Sequence, residues 1–261
     1  MRRVAVAVVL VVAGAARAQF ESINSNAVGL RYFGDIPASS VQVTQNTYPG
    51  LLEFQESFPA RPAGQSGSNR HIGVLSADSG VSPFIIPHNV AWYYEATVRM
   101  TGAASNQVGL HIGGIGSNWP PGNLNADTGV VMVNGINGEI AAFGGWLPFF
   151  STFDPAYSSF GHGQRDQNFR LAILVRPISP TSVTAQYFVD GHSTPALPLD
   201  AGAVQAYYSL NNIASVYAQN SWITAATSSA TSTFTNFVIV PGPGPISLLA
   251  VGSLVAVRRR R

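Results

Sequence analysis

The chain has 261 residues, with 14 basic and 12 acidic side chains, five histidines and no cysteine. Every basic residue is an arginine, and seven of the 14 lie at the ends (Arg2, Arg3, Arg17 and Arg258 to Arg261), so the segment from Gln19 to Val240 sets seven arginines against twelve acids and carries a net charge of −5. That balance excludes a phosphate-tracking surface and with it a nucleic-acid partner, and the lack of cysteine excludes disulfides, thiol catalysis and thiolate metal sites.

At the start of the chain, Arg2 and Arg3 precede an apolar run from Val4 to Ala16, and Ala16-Arg17-Ala18 stands before Gln19. A charged foot, an apolar stretch too short to span a bilayer stably and small residues suited to a signal-peptidase pocket read as a secretory signal over residues 1–18. Residues 19–240 then form one domain, large enough to bury a full core without covalent staples.

Strands are expected at Val41 to Tyr48, Leu51 to Phe54 and Ile72 to Leu75. From Trp92 to Thr101 the alternation is clean: Trp92, Tyr94, Ala96, Val98 and Met100 share one face, and Tyr93, Glu95, Thr97, Arg99 and Thr101 the other, the pattern of a half-buried strand. In the strand from Val108 to Ile112, His111 falls with Gln107 opposite the apolar Val108, Leu110 and Ile112. Were that face concave, Glu95, Arg99, Gln107 and His111 would make a polar floor for a hydroxyl-rich ligand; an exposed sheet face explains them as well.

The next loop, Asn118 to Gly129, carries Trp119 and sets amide or carboxylate oxygens at Asn123, Asn125 and Asp127. The spacing is that of a calcium loop, although the glycine comes one position late and Asn134 stands where a bidentate glutamate belongs. An ordinary Asx-rich turn explains the loop without a metal; no cofactor is expected, and calcium is the one candidate. Strands follow at Val130 to Val133 and Ile140 to Phe143, separated by Asn134-Gly135 and Asn137-Gly138, residues that tolerate the positive φ of tight reversals. Trp146 lies in the irregular stretch that runs on to Gln167. With Trp119 it offers a flat aromatic face for stacking on sugar, or a plug for the end of the domain.

Phe169 to Arg176 and Val183 to Val189 alternate again, the second ending in Asp190-Gly191, and Ile213 to Ala218 and Phe234 to Val240 close the series. No amphipathic helix of ten or more residues is expected between the ends. About a dozen strands exceed what one open sheet holds, so an all-β antiparallel sandwich of two sheets is predicted. Three segments, Tyr93 to Arg99, Thr184 to Gly191 and Phe234 to Val240, resemble the concanavalin-A-like lectin and glucanase jelly roll, laminin-G-like in character. The resemblance implies a fold shared by lectins, hydrolases and adhesion modules, in which lectins often hold calcium near the sugar site.

Hydrolysis of a glycoside needs two carboxylates across the scissile bond. The Glu-x-Asp-x-x-Glu strand of the laminarinase-like branch does not occur here, leaving separated pairs such as Glu53 with Glu56 or Glu95 with Glu139. No catalytic residue is therefore assigned.

At the far end, residues 241–261 carry Pro243-Gly244-Pro245, an apolar stretch from Ile246 to Val257 and then Arg258, Arg259, Arg260 and Arg261. Twelve helical residues cover about 18 Å, a marginal span of a bilayer, and the arginines favour the cytoplasmic side. This arrangement resembles the PEP-CTERM sorting tail, with glycine where that motif has glutamate. The resemblance implies transient membrane insertion and processing by an exosortase-like protease after signal peptidase has acted; a plain anchor is the alternative. Together these readings predict a non-enzymatic cell-surface or extracellular protein that binds polysaccharide or is embedded in it. The alternatives are a structural surface protein without a small ligand, or a divergent glycoside hydrolase.

Overall fold

A computed structural model describes residues 22–24, 30–45, 50–76, 82–115, 127–135, 139–143, 165–222 and 225–241. Among them the alternating segments become β1 (Ser22–Asn24), β2 (Leu30–Gly34), β3 (Ser40–Gln45), β4 (Leu51–Phe58), β5 (Ser68–Ser76), β6 (Ile85–Ile86), β7 (Trp92–Thr101) and β8 (Ser105–Ile115). The series continues with β9 (Asp127–Asn134), β10 (Ile140–Phe143), β11 (Asn168–Ser179), β12 (Ser182–Val189), β13 (His192–Ser193) and β14 (Leu197–Pro198), then α1 (Ala201–Ser209), β15 (Asn211–Ser221) and β16 (Ser228–Pro241).

They form two antiparallel sheets, the predicted jelly-roll sandwich. Sheet I runs β1-β5-β15-β8-β9-β10, with β2 also paired to β5 and β6 to β15; sheet II runs β13-β12-β11-β7-β16-β4-β3, with β14 on β12. The core lies between them. From sheet II come Leu52, Phe54, Tyr94, Val98, Leu171, Ile173 and Tyr187, and from sheet I Leu75, Leu110, Ile112, Val131 and Val216. Each such side chain contributes about 1.5–3 kcal/mol on burial. Trp92 is in this core, as its phase with Tyr94 and Ala96 requires.

Three local features depart from simple alternation. β16 shifts register between Thr235 and Val238 around Asn236, which takes a φ of 54°. The bulge turns both Phe234 and Phe237 into the core although they stand three positions apart,. Asp190 and Gly191 close the β12–β13 turn with φ of 50° and 90°. Helix α1 was not expected: Asp200 caps it, its Oδ1 accepting from the Ala203 amide at 2.8 Å, and its nine residues bury only Ala203, Val204 and Tyr207. Its largely small side chains leave almost no periodic signal. The helix carries the chain from β14 in sheet II to β15 in sheet I.

Among the described residues no helix is long and apolar enough to cross a membrane. The segments read as address signals, including Ala16, Ala18, Pro243, Gly244, Pro245 and Arg258 to Arg261, lie outside the described residues.

Candidate functional site

The four-residue polar floor does not form. Glu95 and Arg99 are on β7 of sheet II, Gln107 and His111 on β8 of sheet I. Each strand buries the neighbouring phase, Val98 and Met100 on one and Val108 and Leu110 on the other. The two pairs therefore point out of opposite sides of the sandwich. Neither suggested carboxylate pair converges either. Glu56 is buried in phase with Leu52 and Phe54, while Glu53 faces outward and accepts from Thr233 Oγ1 at 3.0 Å and Gln55 Nε2 at 2.7 Å. Glu95 and Glu139 are associated with different sheets, since Glu139 immediately precedes β10. Trp119, Trp146, Asn123 and Asn125 lie outside the described residues, as does the side chain of Asp127 at the head of β9.

On the outer face of sheet II, Glu95 accepts the Tyr93 hydroxyl proton and lies 3.4 Å from Arg170 Nε. Burial first, and then the acceptor and charge of Glu95, push the Tyr93 phenol well above its usual range against the opposing effect of Arg170. A phenol so held is a poor proton acceptor at neutral pH.

The outer face of sheet I holds a denser constellation. In β15 the inward phase is Ala214, Val216 and Ala218, so Ile213, Ser215, Tyr217 and Gln219 face outward. Strand register lines these up in rows. Ser215 stands opposite both His111 and Val74, Tyr217 opposite Gly109 and Ile72, and Gln219 opposite Gln107 and Arg70. Across β9 the rows continue to Val130, Met132 and Asn134.

Within them His111 Nδ1 is 2.8 Å from Ser215 Oγ. Arg70 donates from Nε and Nη2 to Gln219 Oε1 at 3.2 and 2.7 Å, and its Cζ lies 5.4 Å from the centroid of the Tyr217 ring. The Tyr217 ring in turn lies across Gly109: a Cβ there would sit 2.5 Å from Tyr217 Cε1 and 2.6 Å from the Val131 carbonyl oxygen. This is no solvent-washed surface, for Ile72, Val74, Val130, Met132 and Ile213 form a second buried apolar cluster around Tyr217. His111 and Tyr217 are 4 and 3 % exposed, whereas Arg70, Gln107 and Gln219 are half-buried.

Of these residues, His111 and Gln107 are candidates from the sequence alone. Arg70, Ser215, Tyr217 and Gln219 are not, although the alternation of β15 carries a signal that groups the last three,.

The opposite surface of the same strands is held from inside. Glu56 of β4 accepts from Ser39 Oγ and Asn69 Nδ2, both at 2.6 Å, and from Asn220 Nδ2 at 3.0 Å, and it pairs with His71 Nε2 at 2.8 Å. Asn69 Nδ2 also donates to the Ile36 carbonyl at 3.1 Å and its Oδ1 accepts the Ile36 amide at 3.0 Å. The His71 ring stacks on Phe54 with centroids 5.7 Å apart. Burial alone would raise the Glu56 pKa, but the hydrogen bond and charge of His71, with the Ser39 and Asn69 donors, hold it below the ordinary carboxylate range.

No family model matches the chain, and no curated protein matches it. Among solved structures the chain is similar to a family 7 alginate lyase, A1-II′, in complex with substrate, at 10 % identity over 76 % of this chain and 81 % of that one, with a TM-score of 0.45. It is similar also to the endo-β-1,4-glucuronan lyase of the fungus Trichoderma reesei, at 8 % identity over 87 % and 96 % of the two chains and a TM-score of 0.45. Alginate lyase Aly36B matches at 11 % identity over 85 % and 95 %, with a TM-score of 0.44. At these identities the likeness is one of fold. The three structures named are polysaccharide lyases, and they contradict the expectation of a non-enzymatic binding module.

Proposed function

We propose that this protein is an enzyme that cleaves an acidic polysaccharide by β-elimination on the outer face of sheet I. The observation that carries the reading is the grouping of Arg70, Gln219, Tyr217 and His111 in adjacent rows of three neighbouring strands. Elimination next to a uronate requires three things. Donors must neutralise the carboxylate so that the adjacent C5 proton becomes acidic, a base must take that proton, and an acid must protonate the departing O4. Arg70 and the amide NH2 of Gln219 are the donors, with the Gln219 carbonyl oxygen already occupied by Arg70. His111, oriented through Nδ1 by Ser215, and the Tyr217 hydroxyl are the groups for the two proton transfers. Their strands are adjacent, and the diagonal offset of one pair sets their Cα atoms about 7–8 Å apart. The C5–H and C4–O bonds break, a C4=C5 double bond forms, and no water is consumed. Hydrolysis would instead call for a facing carboxylate pair, which neither Glu53 with Glu56 nor Glu95 with Glu139 supplies.

Arg70 and Gln219 are half-buried and the two rings are closed off, so the polymer enters at the Arg70 end and this face must open for turnover. The polymers acted on by the similar folds, alginate and β-1,4-glucuronan, are the first substrates to try. Incubation with each should produce the ultraviolet absorbance of a 4,5-unsaturated uronate, and Tyr217→Phe or Arg70→Ala should lower that rate by about a hundredfold or more. New reducing ends without the absorbance would mean hydrolysis, and neither signal from a folded chain would overturn the enzymatic reading.

We propose further that the domain works outside the cytoplasm. The order of charged, apolar and small residues over 1–18 and the apolar, arginine-ended segment 241–261 support export,, with signal peptidase and an exosortase-like protease as processing partners.

A further inference from the structure

The interior carboxylate lies directly behind the pair that the proposed elimination uses to hold the uronate. On β5, the Glu56 partners Asn69 and His71 flank Arg70 on either side; on β15, its partner Asn220 follows Gln219. Register sets Asn69 opposite Asn220, Arg70 opposite Gln219 and His71 opposite Ala218. Alternate side chains leave opposite faces of a strand, so one buried group on sheet II grips both strands of sheet I from inside at the level where Arg70 and Gln219 meet outside. Only the backbones of β5 and β15 separate the two sets of hydrogen bonds. Glu56 is 1 % exposed.

We infer that Glu56 is a positioning residue: by binding His71, Asn69 and Asn220 together it sets the spacing and tilt of β5 against β15, and so the geometry in which Arg70 and Gln219 meet a uronate carboxylate. The inference rests on the proposed elimination for its functional meaning, but the clamp has a readout of its own. In the intact chain, the Arg70 Nε–H proton that bonds to Gln219 can be followed by nitrogen-edited NMR, assigned by its disappearance in Arg70→Lys. In Glu56→Gln its exchange with water should rise by at least about threefold. Glu53→Gln, which removes the same charge from the outer face of sheet II, should leave it unchanged.

A folded Glu56→Gln chain with Arg70 exchange inside that limit overturns the clamp. Where Glu56→Gln does not reach the native circular dichroism spectrum, Asn220→Ala, which cuts only the arm to β15, is judged by the same limit. On a uronate polymer that the wild-type chain cleaves, Glu56→Gln should lower kcat/KM about tenfold, through a higher KM as the carboxylate is held less well and a lower kcat as C5–H is acidified less; wild-type kcat and KM in the folded variant would contradict a role in positioning the pair. Absence of elimination by the wild-type chain would remove the functional reading and leave the exchange measurement to decide the clamp.

Discussion

Glu56 stands in phase with Leu52, Phe54 and Phe58 in β4, an acid in an otherwise apolar inward series. His71 is in phase with Leu75, and Asn220 with Val216 and Ala218. Read by parity, these polar residues among core positions can be picked out from the chain alone; what they touch cannot, because Glu56 lies 15 residues from His71 and 164 from Asn220. The lowered pKa of Glu56 has a consequence for stability. Its folded value lies below the ordinary 4.5, so the ionised carboxylate stabilises the fold at pH above that value, and the contribution is lost as pH falls through the folded value. Thermal melts of the wild-type chain should therefore decline below about pH 4.5 more steeply than those of Glu56→Gln. At neutral pH the variant should be less stable by about 3–5 kcal/mol, since it breaks a buried pair from one side. Parallel pH curves would show that Glu56 is not the group whose protonation matters.

Strands were more legible than their edges. β7 and β10 match the sequence reading residue for residue, and β11, β12 and β15 extend it by a few positions, since an inward apolar series specifies a strand's phase and backbone pairing carries it further. The two-residue strands β6, β13 and β14 are too short to show a period and exist because a longer neighbour offers backbone partners. In β8 the decisive position is Gly109, where the missing side chain makes room for the Tyr217 ring. Gly109→Ala should cost about 1–3 kcal/mol by overpacking and displace the phenol. Elimination should then fall by about a hundredfold, read from melting curves and initial rates on the same preparation. Near-wild-type values of both would mean that the ring is not held where the chemistry needs it.

For the molecule as a whole, two sheets share one core, and the two outer faces are chemically unlike. Sheet II shows partly exposed polar rows with Glu95 and Arg170, whereas sheet I shows a half-closed face with apolar flanks. β7 and β8 form where the sequence places strands, but Glu95, Arg99, Gln107 and His111 would share a face only if these consecutive strands paired, as consecutive strands often do. Here the chain changes sheets between them. The export reading is tested at this scale: mass spectrometry of protein recovered from outside the host cell should find Gln19 at the start and no Arg258 to Arg261. A cytosolic product that retains both Met1 and Arg261 would overturn it.

By itself the sequence determined that this is a cysteine-free, all-β domain with an acidic middle, and which faces of β7 and β12 point into the core. Those are properties of local period and composition. Only the tertiary structure decided which outward residues share a face, because that depends on strand order and register across gaps of more than a hundred residues, as between His111 and Ser215. The same holds for the buried carboxylate: its acidity was written in β4, and its position behind Arg70 and Gln219 arose only when the two sheets closed on each other.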